Sequence, residues 1–280
     1  MTTTVLGESV RKALGALSVA YLGSGTFGET WRADFVDDSG RSSTFAVKLL
    51  RPEMHRAHLV EREIGGLRSF DNKGVVKLFD VRDVDVDGRT QTALFCEYID
   101  GGDVGQNCRT NQPTQEQVLA FATALLDAVH VVHKSERVHR DLKLENIILR
   151  DSQWEAPVLI DFGLSKSATD STLTAYPSRI GSLFFMSPEQ LAGERARKAS
   201  DLWACGVVLY IVLTRRHPYL DDVRGLSEDD VADAIAGPPR PLPTDTLAPL
   251  ADIIMRLLSE EPYERGSARR ALKDLRKAMK

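Results

Sequence analysis

The hydrophobic pattern of this 280-residue chain changes near Asp103, and that change limits the folds that the chain can adopt. Before Asp103 the apolar residues lie in short runs that alternate or are β-branched, which is typical of strands. After Asp103 they recur at helical spacing, beginning with Val118, Phe121 and Leu125. We therefore predict an α+β fold, with a β-rich N-terminal part and a mostly helical C-terminal part.

The strand-like runs of the first part predict a sheet that one main helix interrupts. The predicted strands cover residues 17–22, 29–33, 44–50, 75–81 and 92–98. The predicted helix covers His55 to Phe70. Asp87-Gly88 predicts a hairpin turn, because both residue types tolerate the positive φ that tight hairpins require.

Helix signals are clear in the second part of the chain. Thr114 can cap a helix, with the Gln117 side chain reaching back to its backbone. Residues 200–214 are apolar on nearly all sides after a polar start, which is typical of a helix in the middle of a core. The proline-rich residues 238–243 predict a loop, and helical patterns resume from Leu250 onwards.

Composition and charge exclude several classes of protein. A net charge of −4, spread along the chain, argues against nucleic acid as the main partner. Cys96, Cys108 and Cys205 form no CxxC pair and are too few for a disulfide framework, which favours a reducing compartment such as the cytoplasm. The longest apolar run, Val207 to Leu213 with Leu202 to Cys205 ahead of it, is shorter than the ~20 residues of a membrane span. The oligomeric state is left open.

A glycine-rich segment, Gly23-Ser24-Gly25-Thr26-Phe27-Gly28, lies between two predicted strands. A dinucleotide-binding fingerprint requires a helix after the glycines, so this segment belongs to another class. Its backbone N–H groups could lie over phosphates, although the pattern alone is more typical of a plain hairpin turn. Lys48, at the end of the third predicted strand, adds an ammonium group that could reach phosphate oxygens.

A polar segment, His139-Arg140-Asp141-Leu142-Lys143-Leu144-Glu145-Asn146, is followed after one short predicted hairpin by Asp161-Phe162-Gly163. Phosphoryl transfer requires a carboxylate that orients the attacking hydroxyl, oxygen ligands for Mg²⁺, and cations that balance the phosphate charge. The candidates for these three roles are, in order, Asp141; Asn146 with Asp161; and Lys48 with Lys143. Finding all of them in this order by chance is very improbable.

In these motifs the chain resembles a eukaryotic-type serine/threonine protein kinase catalytic domain. The resemblance implies a bilobal protein-kinase fold over residues 17–280, with the N-lobe at about 17–98 and the C-lobe at about 99–280. Residues 1–16 are then an N-terminal extension. The implied reaction transfers the ATP γ-phosphoryl group to Ser or Thr hydroxyls of proteins, including residues of the chain's own activation loop.

The resemblance implies a role for each chemical group of the motifs. Asp141 would be the catalytic base, and Lys143 would be the transition-state cation that is typical of Ser/Thr rather than Tyr kinases. Asn146 and Asp161 would bind the metal, Mg²⁺ or Mn²⁺. Lys48 would contact the α- and β-phosphates of ATP.

A glutamate of the N-lobe helix would hold Lys48. Glu61 and Glu63 are both candidates, and they lie on different sides of the predicted helix. Glu63 is preferred because Leu67, four residues later, can fill the hydrophobic stack behind the helix, whereas Glu61 has Gly65 there. The other residues that the resemblance implies in nucleotide binding are Gly23, Gly25, Gly28, Ala46, Glu97, Ile99, Asp103 and Ile148.

Residues 181–189 resemble the substrate-docking loop of protein kinases. Glu189 should then pair with Arg265, and Asp201 should hold the backbone of the catalytic loop. Two other classes of function were weighed. A pseudokinase usually lacks Lys48, Asp141 or Asp161, which are all present, and small-molecule kinases generally lack the docking loop.

The segment from Asp161 to Glu189 is rich in Ser and Thr, which are candidates for phosphorylation. By their distance to Gly181, the favoured sites are Thr172, Thr174 and Ser178. A phosphate there could dock on Arg140 through charge-assisted hydrogen bonds. A Ser/Thr-rich loop without any modification is the alternative.

Overall fold

A computed structural model of the chain describes residues 3–25, 28–51, 70, 72–161 and 180–278. The chain forms two compact units. The first comprises Met1–Asp71 and Val76–Ile99, and the second comprises Asn72–Val75 and Asp100–Lys280. The N-terminal residues that precede the sheet therefore belong to the first unit.

The first unit contains an antiparallel sheet with the strand order β1-β2-β3-β5-β4. Its strands are β1 (Ser18–Gly25), β2 (Gly28–Val36), β3 (Ser42–Leu50), β4 (Leu78–Val86) and β5 (Arg89–Glu97). The predicted turn at Asp87-Gly88 joins β4 to β5, with φ values of 54° and 77°. The helix predicted at 55–70 falls, apart from Phe70, outside the described residues.

The strand predicted over residues 75–81 is wrong at its start. β4 begins at Leu78, whereas Val75 belongs to the second unit and forms an isolated bridge with Leu159 of that same unit. The Leu159 N–H also donates a hydrogen bond to the Gly74 carbonyl oxygen at 2.8 Å. Val75 is buried next to Leu159. Its apolar side chain reflects that burial and not membership of β4.

The first unit also contains a helix, α1 (Thr3–Leu14), that the sequence analysis does not predict. It packs on the sheet at β1 and β4. Val10 and Leu14 are buried in the same cluster as Trp31, and Leu6 packs against that cluster. Leu6, Val10 and Leu14 are each four residues apart, which places them on one face of a helix. That spacing is the signal in the sequence that could have revealed α1.

The two faces of the sheet have different surroundings. Val47 and Leu49 of β3 are buried in the cluster that α1 covers. Side chains alternate along a strand, so Ala46 and Lys48 lie on the opposite face. Thr30 pairs with Lys48 across β2 and β3 and shares its face. The α1 helix therefore covers the face of the sheet that does not carry Lys48.

The second unit is mostly helical and has one short hairpin. Its helices are α2 (Val104–Thr110), α3 (Gln115–Lys134), α4 (Ile180–Leu183), α5 (Pro188–Leu191), α6 (Lys198–Thr214), α7 (Glu228–Ile235), α8 (Ala248–Leu257) and α9 (Ala268–Ala278). The hairpin strands are β6 (Ile147–Leu149) and β7 (Pro157–Leu159). None of the helices in the described part of the chain is both long enough and apolar enough to cross a membrane.

Several predictions for this unit are confirmed. Thr114 caps α3, because its Oγ1 accepts a hydrogen bond from the Gln117 N–H at 3.3 Å, and the Gln117 side chain accepts one from the Thr114 N–H at 2.9 Å. The helix predicted at 200–214 is α6, which is buried along almost its whole length. Residues 238–243 form a loop between α7 and α8.

We predict that Leu14→Ala destabilises the protein and that Leu17→Ala does not. Leu14, the last residue of α1, is 5% exposed, whereas Leu17 is 66% exposed. Truncating a buried leucine costs about 2–5 kcal/mol, because burial is lost and a cavity remains. Surface substitutions usually change stability by less than about 0.5 kcal/mol. Urea unfolding measures both variants, and equal midpoints would show that α1 does not stabilise the sheet.

Candidate active site

One buried carboxylate holds the backbone of the loop between α3 and β6. Asp201, in the first turn of α6, accepts hydrogen bonds from the N–H groups of His139 at 2.8 Å and Arg140 at 2.9 Å. Its Oδ2 also lies 2.8 Å from Nε2 of His133. Arg140 has a φ of 70°, a conformation that non-glycine residues rarely adopt and that such bonds stabilise. The prediction that Asp201 holds this loop is confirmed.

His139 connects the loop to the end of the hairpin that carries Asp161. Its Nε2 lies 3.0 Å from the Ile160 carbonyl oxygen. A carbonyl oxygen only accepts hydrogen bonds, so Nε2 carries the ring proton. Burial lowers the pKa of His139, and the ring is neutral near pH 7. Asp161, the next residue after Ile160, has a φ of 57°.

The side chain of Asp141 contacts those of Lys143 and Asn146. Asp141 is buried, and its Oδ2 accepts a hydrogen bond from Asn146 Nδ2 at 2.9 Å and lies 3.2 Å from Lys143 Nζ. Asn146 Nδ2 also donates to the Asp141 main-chain oxygen at 2.7 Å. Both partners of this nitrogen only accept, which fixes the orientation of the amide. Asn146 Oδ1 is then the atom that can bind a cation.

The predicted metal ligands, Asn146 and Asp161, come from neighbouring chain segments. The Ile160 N–H donates to the Asn146 main-chain oxygen at 3.0 Å, and Asp161 follows directly. Amide and carboxylate oxygens suit Mg²⁺ or Mn²⁺. Across the described ranges, no group of three or more His, Cys, Asp or Glu side chains is arranged for a metal. Binding of a metal by Asn146 and Asp161 stays a prediction.

Lys143 joins this cluster to the segment that resembles the substrate-docking loop. Its Nζ donates a hydrogen bond to Ser182 Oγ at 2.8 Å, and Ser182 is buried. The same ammonium group contacts Asp141. One cation therefore bridges the proposed base and the docking segment.

The predicted pair of Glu189 and Arg265 is confirmed. Two hydrogen bonds of 2.8 and 3.0 Å join the side chains, and the Arg265 side chain is fully buried. Arg265 also donates to the main-chain oxygens of Ser259, Glu260 and Ala199. Burial raises the pKa of Glu189, but the hydrogen bonds and charge of Arg265, together with hydrogen bonds from the backbone and Ser187, outweigh burial and hold that pKa below its ordinary value.

The three glycines of the nucleotide-binding prediction differ in their surroundings. A Cβ atom added to Gly23 or Gly25 would meet no described atom within 4 Å. A Cβ added to Gly28 would lie 1.9 Å from the Leu49 carbonyl oxygen. Packing of β2 on β3 therefore explains Gly28, whereas it does not require a glycine at the other two positions.

The remaining predicted nucleotide contacts of the first unit lie in or after strands of the sheet. Ala46 and Lys48 are half-buried on the face opposite α1. The Glu97 N–H donates to the Lys77 carbonyl oxygen at 2.8 Å, and Ile99 is buried. These positions agree with a nucleotide on the Lys48 face, and the individual contacts stay predictions.

In the second unit, Asp103 and Ile148 pair with each other through an isolated backbone bridge. Asp103 Oδ1 accepts a hydrogen bond from the Gln106 N–H at 2.7 Å and caps α2. One carboxylate oxygen of Asp103 therefore has a structural role. The predicted bond from Asp103 to ribose stays a prediction.

Several predicted residues lie outside the described residues: Glu63 with its alternative Glu61, Phe162, Gly163, and the candidate phosphorylation sites Thr172, Thr174 and Ser178. By contrast, two histidines have contacts that the sequence does not reveal. His133 bonds to Asp201, and His217 lies 2.8 Å from the Phe184 carbonyl oxygen. A single histidine has no spacing pattern from which such hydrogen-bond partners could be predicted.

Comparison with known proteins gives consistent matches. Residues 18–275 match the protein kinase domain family. The serine/threonine-protein kinase PkaA of Streptomyces coelicolor is 31% identical over 269 residues, which cover 91% of this chain and 48% of that protein. The serine/threonine-protein kinase SAPK1 of Oryza sativa is 33% identical over 203 residues, which cover 71% and 56%. The chain spans about half the length of the curated relatives it matches.

We predict that Arg265→Met lowers the free energy of unfolding by about 3–5 kcal/mol, because it leaves Glu189 buried without its cation. The double variant Arg265→Met/Glu189→Gln should recover part of that loss, since no uncompensated charge remains. Arg224→Met is the control, because Arg224 pairs with Asp222 on the surface, where a pair contributes at most about 1 kcal/mol. Chemical unfolding measures the stability of all three variants. An equal loss of stability in Arg265→Met and Arg224→Met would contradict the prediction.

Proposed function

The chain belongs to the protein kinase domain family, and from this premise we propose that it transfers the γ-phosphoryl group of ATP to Ser or Thr hydroxyls of proteins. The observation that carries the proposal is the hydrogen-bonded cluster of Asp141, Lys143 and Asn146, tied to the docking segment at Ser182. The similar proteins of Streptomyces and Oryza are named serine/threonine kinases.

In the proposed reaction Asp141 accepts a hydrogen bond from the substrate hydroxyl and directs its oxygen at the γ-phosphorus. The new O–P bond forms as the bond to the β-phosphate oxygen breaks, and the hydroxyl proton passes to Asp141. Lys143, 3.2 Å from this carboxylate, supplies positive charge where the transition state gathers negative charge. Asp201 keeps the loop fixed, so little reorganisation is needed during transfer.

Asn146 and Asp161 are the proposed ligands of Mg²⁺ or Mn²⁺. When bound, the metal would neutralise charge on the ATP phosphates. The two hydrogen bonds of Asn146 Nδ2 to Asp141 fix the amide so that its oxygen faces away from the base. The metal ligand and the base therefore position each other.

The ATP contacts are proposed by residue. Gly23 and Gly25 would lie over the phosphates, since an added Cβ there would meet no described atom within 4 Å but would occupy space that the phosphates need. Lys48 would contact the α- and β-phosphates while Glu63 holds its ammonium group. The proposed adenine and ribose contacts are Ala46, Glu97, Ile99, Asp103 and Ile148. Gly28 would contribute to ATP binding only indirectly, because it lets β2 pack closely on β3.

A cytoplasmic location belongs to the proposal as well. It rests on the sequence, in which three cysteines without a CxxC pair are typical of a reducing compartment. Proteins with accessible Ser or Thr would be the partners. Nucleic acid and a membrane span are not expected from the charge and the apolar pattern.

We predict that Asp141→Asn lowers phosphoryl transfer to a generic basic protein by about 10²- to 10⁴-fold, because the base is lost. Nucleotide affinity should stay within a few-fold of that of the wild type. Asp151→Asn, the same change at an exposed position of the neighbouring hairpin, is the matched control. Transfer of radiolabelled phosphate and calorimetric titration with ATP measure the two properties. Full activity in Asp141→Asn would contradict the mechanism, and wild-type protein that binds ATP without transfer would indicate a pseudokinase.

We also predict that the active enzyme phosphorylates its own segment between Asp161 and Glu189, foremost at Thr172, Thr174 or Ser178. Mass spectrometry of peptides after incubation with ATP and Mg²⁺ locates the modification. The Asp141→Asn protein, treated in the same way, separates self-phosphorylation from phosphate acquired during expression. A segment that stays unmodified in demonstrably active enzyme would reject this prediction.

A further inference from the structure

His217 lies in the turn after α6, and its buried ring binds backbone groups on both of its sides. Nε2 lies 2.8 Å from the Phe184 carbonyl oxygen, and Nδ1 lies 3.2 Å from the backbone nitrogens of Tyr219 and Leu220. A carbonyl oxygen only accepts and an N–H only donates, so the ring is neutral with its proton on Nε2. The ring therefore joins the docking segment to the turn 217–220.

This turn is itself held firmly. The half-buried Arg240 guanidinium donates hydrogen bonds to three carbonyl oxygens of the turn and lies 2.9 Å from Asp221 Oδ1. The three acceptors are His217, Tyr219 and Leu220. The Tyr219 ring stacks on Trp203 of the buried helix α6, with centroids 5.5 Å apart. His217 thus reaches Phe184 from a rigid support.

Phe184 lies between two other attachment points of the docking segment. Ser182 is held by Lys143 two residues earlier, and Glu189 is held by Arg265 five residues later. The Phe185 N–H and the Met186 N–H donate within the same segment, to Ser182 and Leu183. The bond from His217 is therefore placed to fix the backbone in the middle of this span.

We propose that His217 is a positioning residue for the protein substrate, which it serves by fixing the backbone of the docking segment at Phe184. The proposal rests on the proposed kinase function and concerns the peptide rather than ATP. Asp201 and Asn146 hold the catalytic loop through bonds that do not involve His217. Loss of the His217 bond should therefore weaken peptide binding more than the chemical step.

The bond persists over the pH range in which such an enzyme is assayed. Burial lowers the pKa of His217 to about 4, the bond to Phe184 acts in the opposite direction, and the charge of Arg240 lowers it further. A protonated ring would present an N–H to the Tyr219 and Leu220 N–H groups, which cannot accept it. His217 is therefore a permanent attachment.

Two substitutions separate the two sides of the ring. His217→Asn places an amide oxygen near the position of Nδ1, where it can accept from Tyr219 and Leu220, but it does not reach Phe184. His217→Gln places an amide nitrogen near the position of Nε2, where it can donate to Phe184. His130→Asn, at a half-buried position on α3, is the control for the residue change itself.

We expect His217→Asn to raise the KM for a peptide substrate about 3- to 10-fold, the range that one lost hydrogen bond gives. The kcat and the KM for ATP should stay within about 2-fold. His217→Gln should restore most of the peptide KM, and His130→Asn should leave it unchanged. A fall in kcat with an unchanged peptide KM, an equal rise in the KM for ATP, or a Gln variant no better than Asn would overturn the proposal.

Hydrogen exchange tests the attachment without any need for activity. The amides of Phe185 and Met186 should exchange faster in His217→Asn than in the wild type, and His217→Gln should slow them again. Unchanged exchange in His217→Asn would overturn the proposal, whatever the kinetics. If the attachment is seen by exchange while the wild type transfers no phosphate, the proposed kinase function fails, and with it the substrate role of His217.

Discussion

The carboxylate of Asp201 is the group on which the arrangement of the second unit most depends. A buried carboxylate is costly unless hydrogen-bond donors surround it. Here the donors are the backbone N–H groups of His139 and Arg140, together with the His133 ring. Its place in the first turn of α6 adds the favourable field of a helix N-terminus. The carboxylate of the helix and the N–H groups of the loop therefore satisfy each other's hydrogen bonds. Asp141 directly follows Arg140, so these bonds also position Asp141.

From this point, polar contacts run outward in short steps. Asp141 contacts Lys143, and Lys143 bonds to Ser182 of the docking segment. His217 and Arg265 then hold the same segment further along. Most of these side chains are buried. Removing one partner of a bond would therefore leave the other buried without a hydrogen bond, which lowers stability by more than the bond itself contributes. The second unit thus uses buried polar groups to position its backbone, around a helix α6 that is itself buried among apolar residues.

The site was easier to predict from the sequence than its supports. Motif residues such as Asp141 and Asn146 are recognisable because phosphoryl transfer restricts residue type and spacing together. The cap at Thr114 is a local signal, and local signals are readable. The bond between His217 and Phe184 joins residues far apart in the chain, and no spacing announces it. The start of β4 was misplaced for a related reason, since the partner of Val75 is Leu159.

The α1 helix has a practical consequence for anyone who expresses this protein. The match to the protein kinase domain begins at residue 18, four residues after α1 ends. A truncated protein cut at that boundary would keep every proposed catalytic group and lose the cover over Trp31 and its neighbours. A newly exposed apolar patch of this kind promotes aggregation. Poor solubility of such a fragment would then reflect where it was cut rather than an unstable kinase fold.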